Sequence, residues 1–130
     1  MNLSITQTTS KDFLKSVKDA LLLGQEYRDN ITVYDLEQYE TYTCFHVFDY
    51  ITGRVLGGFA VNGNELVSVF SLKSGVGSFM RQEWLKMPFK MTLDCFEHLV
   101  PFYEKAGFEV LEMLENYGGA HLPSVAVMSQ

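Results

Sequence analysis

Between Glu65 and Phe108 the chain twice passes from an apolar run through a short break into a helical pattern. The first passage is Glu65-Leu66-Val67-Ser68-Val69-Phe70-Ser71, then Lys73-Ser74-Gly75-Val76-Gly77-Ser78, then apolar residues at Val76, Phe79, Met80, Trp84 and Leu85. The second is an apolar run from Phe89 to Cys95 followed by a helical pattern over about His98 to Ala106. Strands separated by helices are joined by parallel crossovers, so this alternation excludes an all-helical or an all-strand chain. Pro88 stops the first helix, because the residue before a proline is pushed out of the helical region. Pro101 falls in or near the first turn of the second helix, where its missing N–H is harmless, and Gly107 supplies the stop.

The residues before Glu65 follow a different rule. From Tyr42 to about Tyr50 the apolar positions recur with period two, Thr52-Gly53 makes a turn, and Arg54 to Val61 is the next strand. Asn62-Gly63-Asn64 follows, and Asn-Gly between apolar runs is a strong hairpin signal. The strand after it, Leu66 to Leu72, is largely apolar and is expected to be buried on both faces. Nearer the N-terminus, Leu3 to Gln7 reads as an edge strand. Phe13, Leu14, Val17, Ala20, Leu21 and Gly24 recur at helical spacing, so residues from about 10 to 26 are expected as an amphipathic helix capped by Thr9 or Ser10. Tyr27 to Glu40 is mixed; it is either a short helix around Val33 to Gln38 or irregular. The chain closes with a strand at Glu109 to Glu115, a loop at Asn116-Tyr117-Gly118-Gly119 and a strand at Ser124 to Met128. The sum is an α/β chain with a mixed sheet of six or seven strands flanked by three or four helices. At 130 residues it is expected to form one domain over 1–130.

Composition narrows the partners. A formal net charge of −6 leaves no basic stripe for a phosphate backbone, so no nucleic acid is expected; a cationic amine suits the balance. No apolar stretch approaches the roughly 20 residues that span a bilayer, and the first ten residues lack a signal-peptide pattern. Cys44 and Cys95, each followed by phenylalanine, read as small core residues in a reducing cytoplasm. His46, His98 and His121 lack ligand spacing, so no metal is expected.

Two consecutive strand–turn–helix passages, the first with Gly75-Val76-Gly77 and the second with Leu99-Val100-Pro101-Phe102-Tyr103-Glu104-Lys105-Ala106-Gly107-Phe108, resemble the acyl-coenzyme A site of the GNAT superfamily of N-acetyltransferases. The resemblance covers element order over most of the chain and motif over about 65–108. It implies a GNAT-like fold, acetyl-coenzyme A as co-substrate and an amine acceptor. The donor would lie along Val67, Ser68, Val69 and Phe70 through their backbone, with its pyrophosphate on Lys73, Ser74, Gly75, Val76, Gly77 and Ser78. The family places a Gln or Arg three residues before the first glycine; this chain has Leu72, with Lys73 beside it. Gly75-to-Ser78 chemistry is physically sound on its own terms, since amides at a helix start are unpaired and the helix dipole favours an anion there.

The second motif is most similar to that of arylalkylamine-acetylating members, and the resemblance implies that Tyr103 protonates the departing thiolate. A phenol of pKa near 10 roughly matches an alkyl thiol. Proton acceptors for the attacking amine are sought among Asp94 and His98, with Asp94 equally placed to cap the following helix; His46 reads as a hydrogen-bonded core or face histidine. Val-Ser-Val-Phe-Ser followed by Leu-Asp-Cys-Phe is also similar to compact acetyltransferase-like proteins of tailed bacteriophages and prophages. Two readings follow. One is an N-acetyltransferase working on an amine-bearing small molecule or protein by direct attack, a homodimer if an exposed strand edge pairs. The other is a GNAT-like protein without catalysis that binds or modulates a host partner.

Overall fold

The computed structural model describes residues 2–115 and 123–130; the loop expected at 116–119 and His121 lie outside them. The chain is of the mixed α/β class expected and forms two compact units, residues 1–80 and 81–130.

The first unit contains β1 (Leu3–Thr8), α1 (Ser10–Leu21), α2 (Gln25–Asn30), α3 (Leu36–Tyr39), β2 (Thr43–Asp49), β3 (Val55–Asn62), β4 (Glu65–Ser71) and the start of α4 (Val76–Leu85). Its strands lie in the order β1-β2-β3-β4, each antiparallel to its neighbour. The β3–β4 hairpin closes through Gly63 and Asn64, with Asn62 opposite Glu65. Gly63 has φ +65°, the backbone that the first central position of such a two-residue turn requires. Phe13, Val17 and Ala20, at i, i+4 and i+7 of α1, are buried with Ile31, Tyr39, Cys44, Ala60, Val67 and Phe70 in one apolar cluster. Thr9 caps α1 by accepting the Asp12 N–H at 3.1 Å.

Three boundaries differ from the periodicity. α1 stops at Leu21 rather than near 26: Leu22 and Leu23 are 81% and 62% exposed, so no core face remains to extend it, and Gly24 turns the chain into α2. The stretch expected as one short helix or irregular chain holds two short helices, α2 and α3, which raises the helix count among the described residues to five. Asp35 and Gln38 form a reciprocal capping box that starts α3 at Leu36, not Val33.

The second unit contains the end of α4, β5 (Thr92–Phe96), a 3₁₀ turn (Glu97–Leu99), α5 (Val100–Glu104), β6 (Glu109–Leu114) and β7 (Val125–Ser129). β7 lies between β5 and β6 and is antiparallel to both, so β5 and β6 run parallel with a strand inserted between them. β5 begins three residues later than the apolar run suggested, because Phe89 and Lys90 are exposed ahead of it. Gly107, at φ +84°, follows α5 as the expected stop. Trp84, Met91, Leu93, Tyr103, Phe108, Ala126 and Met128 are buried here, and the Gln130 side chain accepts the Met91 N–H and donates to the Ala106 carbonyl.

Candidate functional site

The site expected on β4 begins at an irregularity. Gly58 pairs with Phe70 and Ala60 with Val67, so Ser68 and Val69 together face Phe59 alone. This is a β-bulge, which bends the strand and takes backbone groups out of the ladder. Ser68 has φ +53°, the one non-glycine residue with positive φ among the described residues. A left-handed backbone costs an L-residue roughly 1–2 kcal/mol, so something must hold it. The holding groups are hydroxyls. Ser68 is 4% exposed, and its Oγ donates to the Thr32 carbonyl at 2.6 Å. With its one proton committed there, it accepts from the Tyr39 hydroxyl at 2.7 Å, which in turn accepts the Tyr34 N–H at 3.2 Å.

Leu66, Val67, Ser68 and Phe70 of β4 are buried, while Glu65, Val69 and Ser71 are half-buried. Val67 and Phe70 belong to the apolar cluster around Phe13, so only their backbone is available to a ligand. β3 makes room for them: a Cβ on Gly58 would lie 2.6 Å from the Phe45 carbonyl oxygen and 2.8 Å from the Phe70 ring. On Gly57 it would lie 2.7 Å from Val76 Cγ1.

Beyond β4, Lys73, Ser74, Gly75 and Ser78 are exposed, and Gly75 takes φ +92° to turn the chain into α4. Val76 departs from its expected place. Its side chain is wholly buried, and its amide bonds to the Lys73 carbonyl at 3.3 Å, because the residue anchors the helix start against Gly57. Phe79 N–H reaches back to the Gly75 carbonyl at 3.1 Å. That leaves the Gly77 and Ser78 amides without an acceptor among the described residues, two donors at the start of a ten-residue helix. A pyrophosphate fits this donor set, with the Lys73 ammonium on the adjoining exposed turn.

In the second unit, Tyr103 is 7% exposed. Its ring stacks on Trp84 at 5.8 Å and meets Phe102 and Phe108 edge to face at 5.0 and 5.9 Å. Burial, with a smaller contribution from Cys95, pushes the phenol well above its ordinary range. The match to an alkyl thiol that holds for a free phenol is therefore not kept: in this environment Tyr103 holds its proton more tightly than a free phenol does.

Asp94 and Tyr103 do not come together. Leu93 and Cys95 point to the buried face of β5, the side on which Cys95 influences Tyr103; Asp94 projects from the other, exposed face. Asp94 also does not cap the following turn, since the residue at that position is Phe96 and no side chain makes the capping bond. His98 is exposed in the 3₁₀ turn, its ring stacked on Phe96 at 6.1 Å. His46 is buried against Phe13, with Nε2 unpartnered among the described residues, so it is not the hydrogen-bonded core histidine expected. A cleft of ≈ 520 Å³ in the second unit is lined by residues including Trp84, Met87, Pro88, Phe89 and Gln130; no expected site residue is among them.

Tyr39, Thr32, Gly57 and Gly58 were not singled out by sequence reasoning. Two signals were present: paired glycines inside a strand, which mark close backbone approach, and a lone serine in an apolar run.

The sequence matches no protein-family model, and no curated protein matches it. Solved structures do. An acetyltransferase of the GNAT family from Streptococcus pneumoniae aligns at a TM-score of 0.72 and 16% identity, covering 98% of both chains. A spermidine/spermine N-acetyltransferase from Vibrio cholerae aligns at 0.70 and 14% identity, over 99% of this chain and 92% of its own. A Salmonella typhimurium protein assigned as an acetyltransferase, solved with acetyl-coenzyme A, aligns at 0.70 and 14% identity, over 100% of this chain and 94% of its own. At such identities the likeness is one of fold. The fold of this chain is that of the GNAT acetyltransferases.

Proposed function

We propose that the chain is an acetyl-coenzyme A-dependent N-acetyltransferase acting on an amine. The observation that carries this reading is the bulged β4 running into a helix whose Gly77 and Ser78 amides lack acceptors among the described residues. The likeness in fold to a protein solved with acetyl-coenzyme A supports it. In this role the backbone of Val67, Ser68, Val69 and Phe70 pairs with the amides of the pantetheine arm. Gly77 and Ser78 donate to the pyrophosphate, assisted by Lys73, Ser74 and the open backbone at Gly75. Bound acetyl-coenzyme A supplies a thioester carbonyl as the electrophile. The amine nitrogen attacks that carbon and loses a proton, the C–S bond breaks, and the sulfur gains a proton. Tyr103 is assigned the donation to sulfur; of the two expected acceptors, Asp94 lies on the face of β5 away from Tyr103, which leaves exposed His98 to take the proton of the amine through water.

The acceptor is a small or protein-borne amine, favoured by the net charge of −6. The amine-acetylating neighbours named for spermidine are consistent with that class. We further propose a single domain, a cytoplasmic setting, a phage or prophage origin and pairing of two copies.

Two observations favour the alternative of a non-catalytic binding protein: Leu72 stands where the family pattern has Gln or Arg, and Tyr103 is buried with a raised pKa. Calorimetric titration with acetyl-coenzyme A separates the readings. An enzyme binds it; absence of both heat and a thermal shift at millimolar donor removes the catalytic reading. Given binding, Tyr103→Phe keeps the packing against Trp84 and is expected to lower kcat by about 10²-fold with donor affinity unchanged. Equal loss of both would contradict the assigned role.

A further inference from the structure

We infer that Ser68 is a positioning residue for the acyl donor, and that Tyr39 and Thr32 are the parts through which it acts. The inference rests on the acetyl-transfer reading and adds to it a link between two segments. Ser68 sits at the bulge of the strand proposed to pair with the donor, in a backbone conformation that a serine does not adopt unaided. Its hydroxyl is held by partners 36 and 29 residues away in sequence, donating to the Thr32 carbonyl and accepting from the Tyr39 hydroxyl. Neither partner belongs to a strand. Thr32 lies between α2 and α3, and Tyr39 is the last residue of α3, wholly buried with its ring edge-on to Phe13, Tyr34 and Tyr42.

The protons fix the direction of the chain. Tyr34 N–H donates to Tyr39, Tyr39 donates to Ser68, and Ser68 donates to Thr32. Because the chain terminates on a carbonyl, which has no proton to pass on, it is no proton wire. Its role is geometric. The 31–35 segment and the β4 bulge are tied together: neither can shift without breaking a buried hydrogen bond, which is costly when no water replaces the partner. The bulge sets Ser68 and Val69 against Phe59 alone and disrupts the β3–β4 ladder there, and the tie holds that irregular backbone in place. A donor meeting that backbone finds it preorganised, and a change in the 31–35 segment alters donor affinity through the same four side-chain and backbone groups.

Ser68→Gly removes the hydroxyl while leaving positive φ available, and so separates the hydrogen bonds from the backbone preference. Tyr39→Phe removes the other hydroxyl and keeps the ring. Two measurements are made on each: amide hydrogen exchange in the free chain, and calorimetric titration with acetyl-coenzyme A. Both variants should fold with unchanged circular dichroism, exchange the Tyr34 amide at least about tenfold faster than the parent, and bind the donor about fivefold or more weakly. The double variant should bind no more weakly than either single one, since both break one unit. Unchanged exchange at Tyr34 in Ser68→Gly overturns the tie itself. Faster exchange with unchanged donor affinity overturns the positioning role. A parent chain that fails to bind acetyl-coenzyme A overturns the acetyl-transfer reading and the donor role with it, whatever the exchange shows.

Discussion

A single methyl group on Gly58 would press on the Phe45 carbonyl oxygen at 2.6 Å, a backbone atom that cannot rotate away. Gly58→Ala is therefore expected to lower stability by about 1–3 kcal/mol, read as a lower urea midpoint at constant slope. Against Gly57 the nearest atoms are a Val76 methyl at 2.7 Å and the Phe70 carbonyl oxygen at 2.8 Å. Crowding there falls both on the β4 backbone and on the helix that presents Gly77 and Ser78, so Gly57→Ala should weaken donor binding as well as stability. His46 offers a pH test. Burial lowers its pKa below the ordinary 6.5, with Asp12 opposing the shift. Between the folded value and 6.5 the unfolded chain holds the extra proton, so stability falls as pH drops through 6.5 and is regained above it. His46→Phe should remove that slope in chemical denaturation between pH 5 and 7. A slope unchanged in the variant would assign the effect to other groups.

Among the elements, α3 shows how a four-residue helix persists. Its capping box pairs the Gln38 N–H with the Asp35 carboxylate at 2.8 Å, and the Asp35 N–H with the Gln38 side-chain oxygen at 3.2 Å. Asp35→Ala should cost about 1 kcal/mol and speed exchange at Tyr34, because α3 carries Tyr39. The box is a local signal, and its Asp-x-x-Gln spacing is present in the sequence. Core-facing stripes were legible for the same reason: Phe13, Val17 and Ala20 lie at fixed intervals on one helix. The strand–glycine–helix passage at 65–78 was legible because glycines and periods are local too. What could not be read was Ser68, whose conformation depends on Thr32 and Tyr39, remote in sequence. The same holds for Val76, which is in the glycine loop by sequence but in the core by virtue of Gly57. Separation of Asp94 from Tyr103 follows from strand alternation once β5 is placed at Thr92–Phe96; the exposed Phe89 and Lys90 had blurred its start.

For the molecule as a whole, the two cysteines form a natural pair of reporters. Cys44 is buried in the first unit and Cys95 in the second, and burial pushes each thiol up to about 11. Neither should react with a thiol reagent at pH 8 while the chain stays folded. Labelling resolved by mass spectrometry then measures opening at each place. If residues 1–130 act as one cooperative domain, both thiols are modified at the same rate across a denaturant series. A Cys95 that reacts far earlier than Cys44 would show residues 81–130 opening alone, and the single-domain proposal would fail.

β6 has one further consequence. Among the described residues it is paired on one side only, and Val110, Leu111 and Met113 are exposed along it between Glu109, Glu112 and Glu115. An open strand rim carrying oily side chains would adhere to a second copy of itself, were it not for the carboxylates that make like meet like. Concentrated salt shortens the reach of that repulsion to about 3 Å at 1 M. Stock solutions should thus turn cloudy as salt rises, and a lysine in place of Leu111 should keep them clear.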